Sequence, residues 1–192
     1  LIRIRQCEPE LMVRDVSAEL RLAVCQGRID DVDDRILEGA DPNQADKYYN
    51  NALHLAARLG SVQIVQTLLE NDEICAEVDH KGWNDRTALH FACHNGKSRV
   101  AGVLLAYGAD VEAEDEDMNR PIHAAIHSGS DAVLGQLYDY GCDLNSRGWY
   151  GWSAVHFAVE MNQTVLLESL IAKGADLNQQ DEARDTPLHI AV

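Results

Sequence analysis

One histidine, preceded each time by an aliphatic residue, recurs at His54, His90, His123, His156 and His189, with separations of 36, 33, 33 and 33 residues. A fixed interval of this length constrains the chain more than any other feature. It requires the same supersecondary unit to be built again and again, each copy covering its neighbour. The clearest copy runs from Thr87 to Glu112, TALHFACHNGKSRVAGVLLAYGADVE. Thr87 suits the N-cap of a short helix through Leu89, Phe91 and Cys93, and Gly96 closes it with a backbone conformation that costs glycine little. A second helix follows, with Val100, Val103 and Leu104 at i, i+3 and i+4, and Gly108 stops it before Ala109-Asp110 turns the chain outward. The unit is helix, tight turn, helix and extended excursion.

The second stop keeps the same beat. Gly108, Gly141 and Gly174 each follow their histidine by 18 residues, and an earlier Gly39 places Arg21 in the histidine slot of a degenerate first copy. A 33-residue period with starts such as Thr186-Pro187-Leu188-His189 resembles the ankyrin-repeat family, over residues 17–192. The resemblance implies an all-α solenoid in which a β-turn or hairpin finger precedes two antiparallel helices. It also implies that the recurring histidines hydrogen-bond within and between fingers, and that fingers and first helices together form a concave partner-binding face. Five complete repeats and a truncated sixth are expected. Residues 1–16 fit no repeat and are expected to cap the array or link it to something else.

Within this frame most chemical motifs have a structural explanation. His90 with His94 and His123 with His127 have the i, i+4 spacing of zinc ligands, but one member of each pair is the repeat's own histidine and no third ligand lies at a suitable offset. No metal site is expected. Gly96-Lys97-Ser98 lacks the upstream glycine of a phosphate loop, since Phe91 stands there, and Asn162-Gln163-Thr164 falls in an inter-helix turn. Nucleophiles, bases and acids recur by period and do not converge, so neither enzyme nor cofactor is expected. Among five cysteines, Cys93 and Cys142 occupy slots held elsewhere by Ala57 and by the alanine of Gly-Ala-Asp, which makes them small core residues and suggests a reducing, cytoplasmic or nuclear setting.

Charge bears on the partner. With 16 basic against 32 acidic residues the net charge is −16, which opposes unaided binding to nucleic acid or anionic membrane. No apolar run is long enough to span a bilayer. The acidic run Asp110, Glu112, Glu114, Asp115, Glu116 and Asp117 leads into the fourth finger, where it would attract a basic segment or simply keep a loop hydrated. The absence of an initiator methionine and the stop within a repeat predict a longer native chain.

The family's variable finger positions lie seven, six and four residues before each histidine. They are filled here by Lys47, Tyr48 and Asn50; Trp83, Asn84 and Arg86; Glu116, Asp117 and Asn119; Trp149, Tyr150 and Trp152; and Glu182, Ala183 and Asp185. The groove floor would come from Arg58 and Leu59, His94 and Asn95, His127 and Ser128, and Glu160 and Met161. All three tryptophans are therefore finger residues, and tryptophan and tyrosine are the side chains most enriched in interface hot spots. The expected partner is a protein bearing a basic segment with apolar anchors, bound through Tyr48, Arg58, Trp83, Arg86, His94, Glu116, Asp117, Asn119, His127, Trp149, Tyr150, Trp152, Glu160 and Met161. The alternatives are a targeting or autoregulatory arm of a larger enzyme or channel, and a masking protein resembling the Rel inhibitors.

Overall fold

The computed structural model describes residues 14–71 and 75–192. Residues 1–13, with Cys7 and most of the segment expected to cap the array or link it to something else, and residues 72–74 lie outside the described residues. Eleven helices are described: α1 (Val16–Gln26), α2 (Ile29–Leu37), α3 (Ala52–Leu59), α4 (Val62–Glu70), α5 (Ala88–His94), α6 (Ser98–Ala106), α7 (Pro121–Ser128), α8 (Asp131–Asp139), α9 (Ala154–Glu160), α10 (Thr164–Ala172) and α11 (Pro187–Ile190). No strand occurs among the described residues, and short 3₁₀ turns mark two of the fingers at Trp83–Asp85 and Trp149–Gly151. The expected all-α solenoid is what forms.

Helices pair within a repeat and stack between repeats in two rows, α1-α3-α5-α7-α9-α11 on one side and α2-α4-α6-α8-α10 on the other. Sequence explains why the first row packs more closely. Its buried positions are often alanine or another small residue (Ala52, Ala56, Ala57, Ala88, Ala92, Cys93, Ala125, Ala154 and Ala158), whereas the second row buries Ile64, Leu68, Leu104, Leu134, Leu137, Leu166 and Leu170. Interaxial distance follows side-chain size, so a row of small residues draws its helices together and bends the array toward that row. The residue before each histidine forms a continuous apolar column, with Leu53, Leu89, Ile122 and Val155 all at most 1% exposed. Leu188, the next in line, is 73% exposed.

Each recurring histidine before His189 works in two directions, and His189 shares the first of them. Its Nδ1 accepts the backbone N–H of its own N-cap residue, at 3.2 Å from Asn51, 3.2 Å from Thr87, 3.0 Å from Arg120, 3.1 Å from Ser153 and 3.1 Å from Thr186. An Nδ1 that accepts leaves the proton on Nε2. That Nε2 donates across the repeat boundary, His54 to the Arg86 carbonyl (3.0 Å), His90 to Asn119 (3.1 Å), His123 to Ser146 (3.1 Å) and His156 to Asp185 (3.2 Å). Arg21, in the same slot of the first repeat, donates from Nη1 to the Gln44 carbonyl at 2.8 Å, so the boundary bond survives the change of residue.

A second ladder runs along the opposite edge of the fingers. Asn43, Asp79, Glu112 and Asn145 stand at equivalent positions and accept the backbone N–H of Glu77 (2.8 Å), Asp110 (3.0 Å), Asp143 (2.8 Å) and Asp176 (2.8 Å) in the following repeat. At the N-terminal end Arg14, Glu19, Arg35 and Glu38 form a closed ionic ring between α1 and α2, with separations of 2.5 to 3.1 Å. This polar end face suits a terminal repeat.

The histidine bonds carry a pH cost. Burial lowers the imidazole of His54, His90 and His123 from an ordinary value of 6.5 to about 4. The unfolded chain binds those protons first, so the stability that depends on neutral rings is complete above pH 6.5 and is lost as pH falls toward 4. Each ring contributes roughly 3 kcal/mol by this route, because every tenfold drop in proton affinity on folding is worth about 1.4 kcal/mol. Urea unfolding followed by helical circular dichroism should therefore show a steep loss of stability between pH 6.5 and 4.5, and a His90→Gln variant should flatten that slope by close to one proton.

Gly135, inside α8 with open space where a side chain would lie, should accept alanine with a gain of about 0.5–1 kcal/mol. Gly82 cannot, because a Cβ there would lie 2.7 Å from Asn50 Oδ1 and 2.9 Å from His54 Nε2. Thermal unfolding of Gly135→Ala and Gly82→Ala should move in opposite directions.

Candidate functional site, the finger and inner-helix face

The fingers are of two kinds, and they alternate. Fingers two, four and six begin with Asp46, Asp115 and Asp181; fingers three and five begin with Gly82 and Gly148. In the aspartate fingers the carboxylate folds back on its own turn. Asp46 Oδ1 accepts from the N–H of Tyr48 (2.7 Å) and Asn50 (3.0 Å), Asp115 Oδ1 from Asp117 (3.0 Å) and Asn119 (2.8 Å), and Asp181 Oδ1 from Asp185 (2.8 Å). One residue in each adopts a left-handed backbone, namely Tyr49, Met118 and Arg184. The glycine fingers have two in succession, Asn84 with Asp85 and Tyr150 with Gly151, which gives a tighter tip.

Alternation matters because unlike fingers lock together. Asn50 Oδ1 accepts the backbone N–H of Trp83 at 3.2 Å, and Asn119 Oδ1 accepts that of Trp149 at 3.1 Å. Those amide oxygens occupy the space that a Cβ would fill at Gly82 and Gly148. In the other direction Arg86 Nε pairs with Asp115 Oδ2 at 3.1 Å, and Trp152 Nε1–H donates to Asp181 Oδ2 at 3.1 Å. Backbone bonds from Glu116 N to the Asn84 carbonyl (3.0 Å) and from Glu182 N to the Tyr150 carbonyl (3.1 Å) complete the joint.

The predicted site residues other than Trp152 separate into three groups. Five of them, Arg86, His94, Asn119, His127 and Met161, line one cleft of about 170 Å³ across repeats three to five, together with His90, Asp115, His123, Ala124 and Phe157. On its wall His94 and His127 stack nearly parallel, with ring centroids 4.4 Å apart and planes 12° apart. Burial and the neighbouring His127 lower the His94 imidazole. A second group stands at the fingertips: Trp83 (50% exposed), Trp149 (46%) and Tyr150 (56%), with Glu116 and Asp117 between them. Arg86 lies 5.7 Å over the Trp83 ring, and the Trp149 and Tyr150 rings are 4.2 Å apart. The third group stands apart. Tyr48 and Arg58 share a shallow recess with Arg21 and Leu22 near the N-terminal end, and Glu160 is exposed at the end of α9.

Two placements differ from a simple row of open finger side chains. Trp152 is folded inward, its indole held by Asp181 and its ring edge-on to Phe157 at 5.2 Å. The acidic run is largely engaged within the array. Glu112 is a rung of the backbone ladder and pairs with Arg120 at 3.2 Å, Glu114 pairs with Arg120 at 3.0 Å, Asp110 Oδ1 accepts from the N–H of Glu112 at 2.9 Å, and Asp115 is buried. The side chains of Glu116 and Asp117 are outside these bonds. Met118, 52% exposed at the tip of the fourth finger, escapes sequence reasoning because its slot is not among the family's variable positions. Asp115, His90, His123 and Phe157 escape it as cleft residues for the same reason. The alternating Asp and Gly at finger starts is the signal that could have exposed Asp115.

Comparison with known proteins bears on this architecture directly. A family model described as ankyrin repeats (3 copies) matches residues 20–115 and 122–192, most of the chain. The chain belongs to the ankyrin-repeat family. It is 33% identical to the nuclear factor NF-kappa-B p105 subunit of Rattus norvegicus over 101 residues, which is 53% of this chain and 10% of that protein. It is 34% identical to inversin of Canis lupus familiaris over 101 residues, 53% of this chain and 9% of inversin, and 33% identical to palmitoyltransferase AKR1 of Debaryomyces hansenii over 91 residues, 43% of this chain and 11% of that enzyme. The chain thus spans about a tenth of the length of these relatives. Ankyrin repeats are protein–protein interaction modules, and no helix among the described residues is long and apolar enough to cross a membrane. Among the same residues no group of three or more His, Cys, Asp or Glu side chains is arranged to hold a metal ion.

The division of the acidic residues can be checked. Asp115→Asn, which weakens a buried charge-assisted pair and two turn bonds, should cost about 2 kcal/mol in urea unfolding. Glu116→Gln, at an exposed side chain, should stay within about 0.5 kcal/mol of the parent.

Proposed function

We propose that the fingertips and inner helices of repeats two to five form a docking surface for a protein segment that brings apolar side chains and a basic residue. The observation that carries this reading is the set of exposed rings on fingers two, three and five, Tyr48, Tyr49, Trp83, Trp149 and Tyr150. Large aromatic rings held in water on a rigid scaffold contribute strongly when a partner covers them, because little conformational freedom remains to be lost. Glu116 and Asp117 add a small negative field at the centre of the row, which favours a basic residue and speeds encounter.

A second reading is that the array is an arm of a longer protein and regulates or targets another part of it. Its support is that relatives such as the tyrosine-protein kinase HTK16 of Hydra vulgaris and palmitoyltransferase AKR1 match over about a tenth of their lengths. Masking of a basic segment in the manner of Rel inhibitors is a special case of the first reading, supported by the match to the p105 subunit.

Affinity capture with the chain, at low and at high salt, supplies the partner for the test. Trp83→Ala and Trp149→Ala together should weaken the captured complex by at least a hundredfold while unfolding stability changes by about 1 kcal/mol or less, since both rings are half exposed. Neutralising Glu116 and Asp117 should flatten the fall of association rate with salt and leave dissociation unchanged. Affinity that survives the double tryptophan change would move the docking surface elsewhere.

A further inference from the structure

We propose that this surface reads its partner in steps of two repeats, so that the preferred ligand is an extended segment with two apolar side chains six residues apart and a lysine or arginine midway. The inference rests on the docking surface proposed above and adds a spacing to it. Its origin is the alternation of finger types. A tryptophan follows the glycine at the start of fingers three and five, and each of these backbones is pinned by an asparagine amide from the preceding aspartate finger. Trp83 and Trp149 thus occupy equivalent positions two repeats apart, at separate tips held by the same bond.

Each ring is also steadied from the side, Trp83 by the Arg86 guanidinium and Trp149 by Tyr150. Between them lies the fourth finger, whose turn has the opposite character. Asp115 is committed to Arg86 and to its own turn, and what remains at the tip is Glu116, Asp117 and the thioether of Met118. The edge therefore presents ring, carboxylates, ring, in that order.

The spacing follows from the packing. Neighbouring helices stack roughly 8–10 Å apart, so equivalent points two repeats apart are separated by roughly 16–20 Å. A polyproline-II-like chain, rising about 3.1 Å per residue with three residues per turn, covers that distance in about six residues and returns its first, fourth and seventh side chains to one face. A helical ligand would need about twelve residues for the same reach, at 1.5 Å per residue, and selected peptides whose anchors lie about eleven apart would overturn the extended conformation. The net charge of −16 sets a nucleic acid strand against the acidic middle finger, although its bases could stack on the rings. An extended peptide of this kind is the shortest occupant that meets all three tips.

The test uses a random twelve-residue peptide library displayed on phage, selected on the full chain and counter-selected on the Trp83→Ala, Trp149→Ala double variant. Selected peptides should share two apolar or aromatic positions about six apart with a basic residue midway. A synthetic copy should lose at least tenfold in affinity with either tryptophan changed alone, and at least tenfold when three residues are removed from its spacer. Trp83→Tyr and Trp149→Tyr, which keep a ring on the same backbone, should retain most of the binding and show that the alanine effects do not come from misfolding. Peptides that depend on the tryptophans but share no spacing, or a spacing of about three residues, would overturn the two-repeat step and leave the docking surface standing. Selection that yields no tryptophan-dependent peptide would overturn both.

Discussion

The structure depends on a neutral imidazole that accepts on one side and donates on the other. By taking the N-cap N–H on Nδ1, the recurring histidine fixes its own tautomer, and the fixed Nε2 proton then reaches the carbonyl of the next finger. Helix start and repeat junction are closed by one side chain. Short helices of seven to nine residues have little stability alone, so a device that caps a helix and fixes its neighbour's finger at once makes the stack cooperative. The same bond accounts for the close approach of Gly82 and Gly148 to the preceding repeat, since the glycine lies where ring and asparagine amide converge.

Around that bond the polar residues of the fingers divide between holding and display. Asp115, Glu112, Arg120 and Trp152 carry groups that would suit a binding surface, yet each is turned into the array by a specific partner. Trp83, Trp149, Tyr150 and Glu116 remain exposed, and Asp117 partly so. The stacked His94 and His127 are intermediate, equivalent residues of adjacent inner helices with a ring contact to each other and a cleft beside them. An acidic composition in this chain is thus only partly a surface property, because several carboxylates serve as acceptors for backbone N–H groups.

Most of the fold is legible in the sequence because its determinants are local and repeated. Thr87 caps the helix that His90 then braces, Gly96 and Gly108 adopt the left-handed backbone their positions require, and Cys93 and Cys142 fill alanine slots in the core. The histidine period carries the stacking order without further information. The site is less legible because the fate of a finger side chain depends on a residue about thirty positions away. Whether Asp115 faces solvent is decided by Arg86, and whether Trp152 stands open is decided by Asp181 and Phe157. Periodicity places such residues on a finger and gives no information on which neighbour claims them. Tyr48 and Arg58 illustrate the same limit, since Tyr48 is equivalent to the fingertip Tyr150 and Arg58 to the cleft residues His94 and His127, yet their surroundings at the N-terminal end differ.

The alternation of aspartate and glycine fingers makes the pair of repeats, not the single repeat, the smallest unit that this chain can gain or lose cleanly. Removing one repeat would set two aspartate fingers or two glycine fingers side by side, leaving a tryptophan N–H without its asparagine or bringing two turn carboxylates into one joint. Removing two restores the joint, with 66 residues from Gly82 to Gly148 and again from Asp115 to Asp181. Changes in the length of such an array, whether by gene duplication or by design, are therefore steered toward even steps by a hydrogen bond between neighbouring turns.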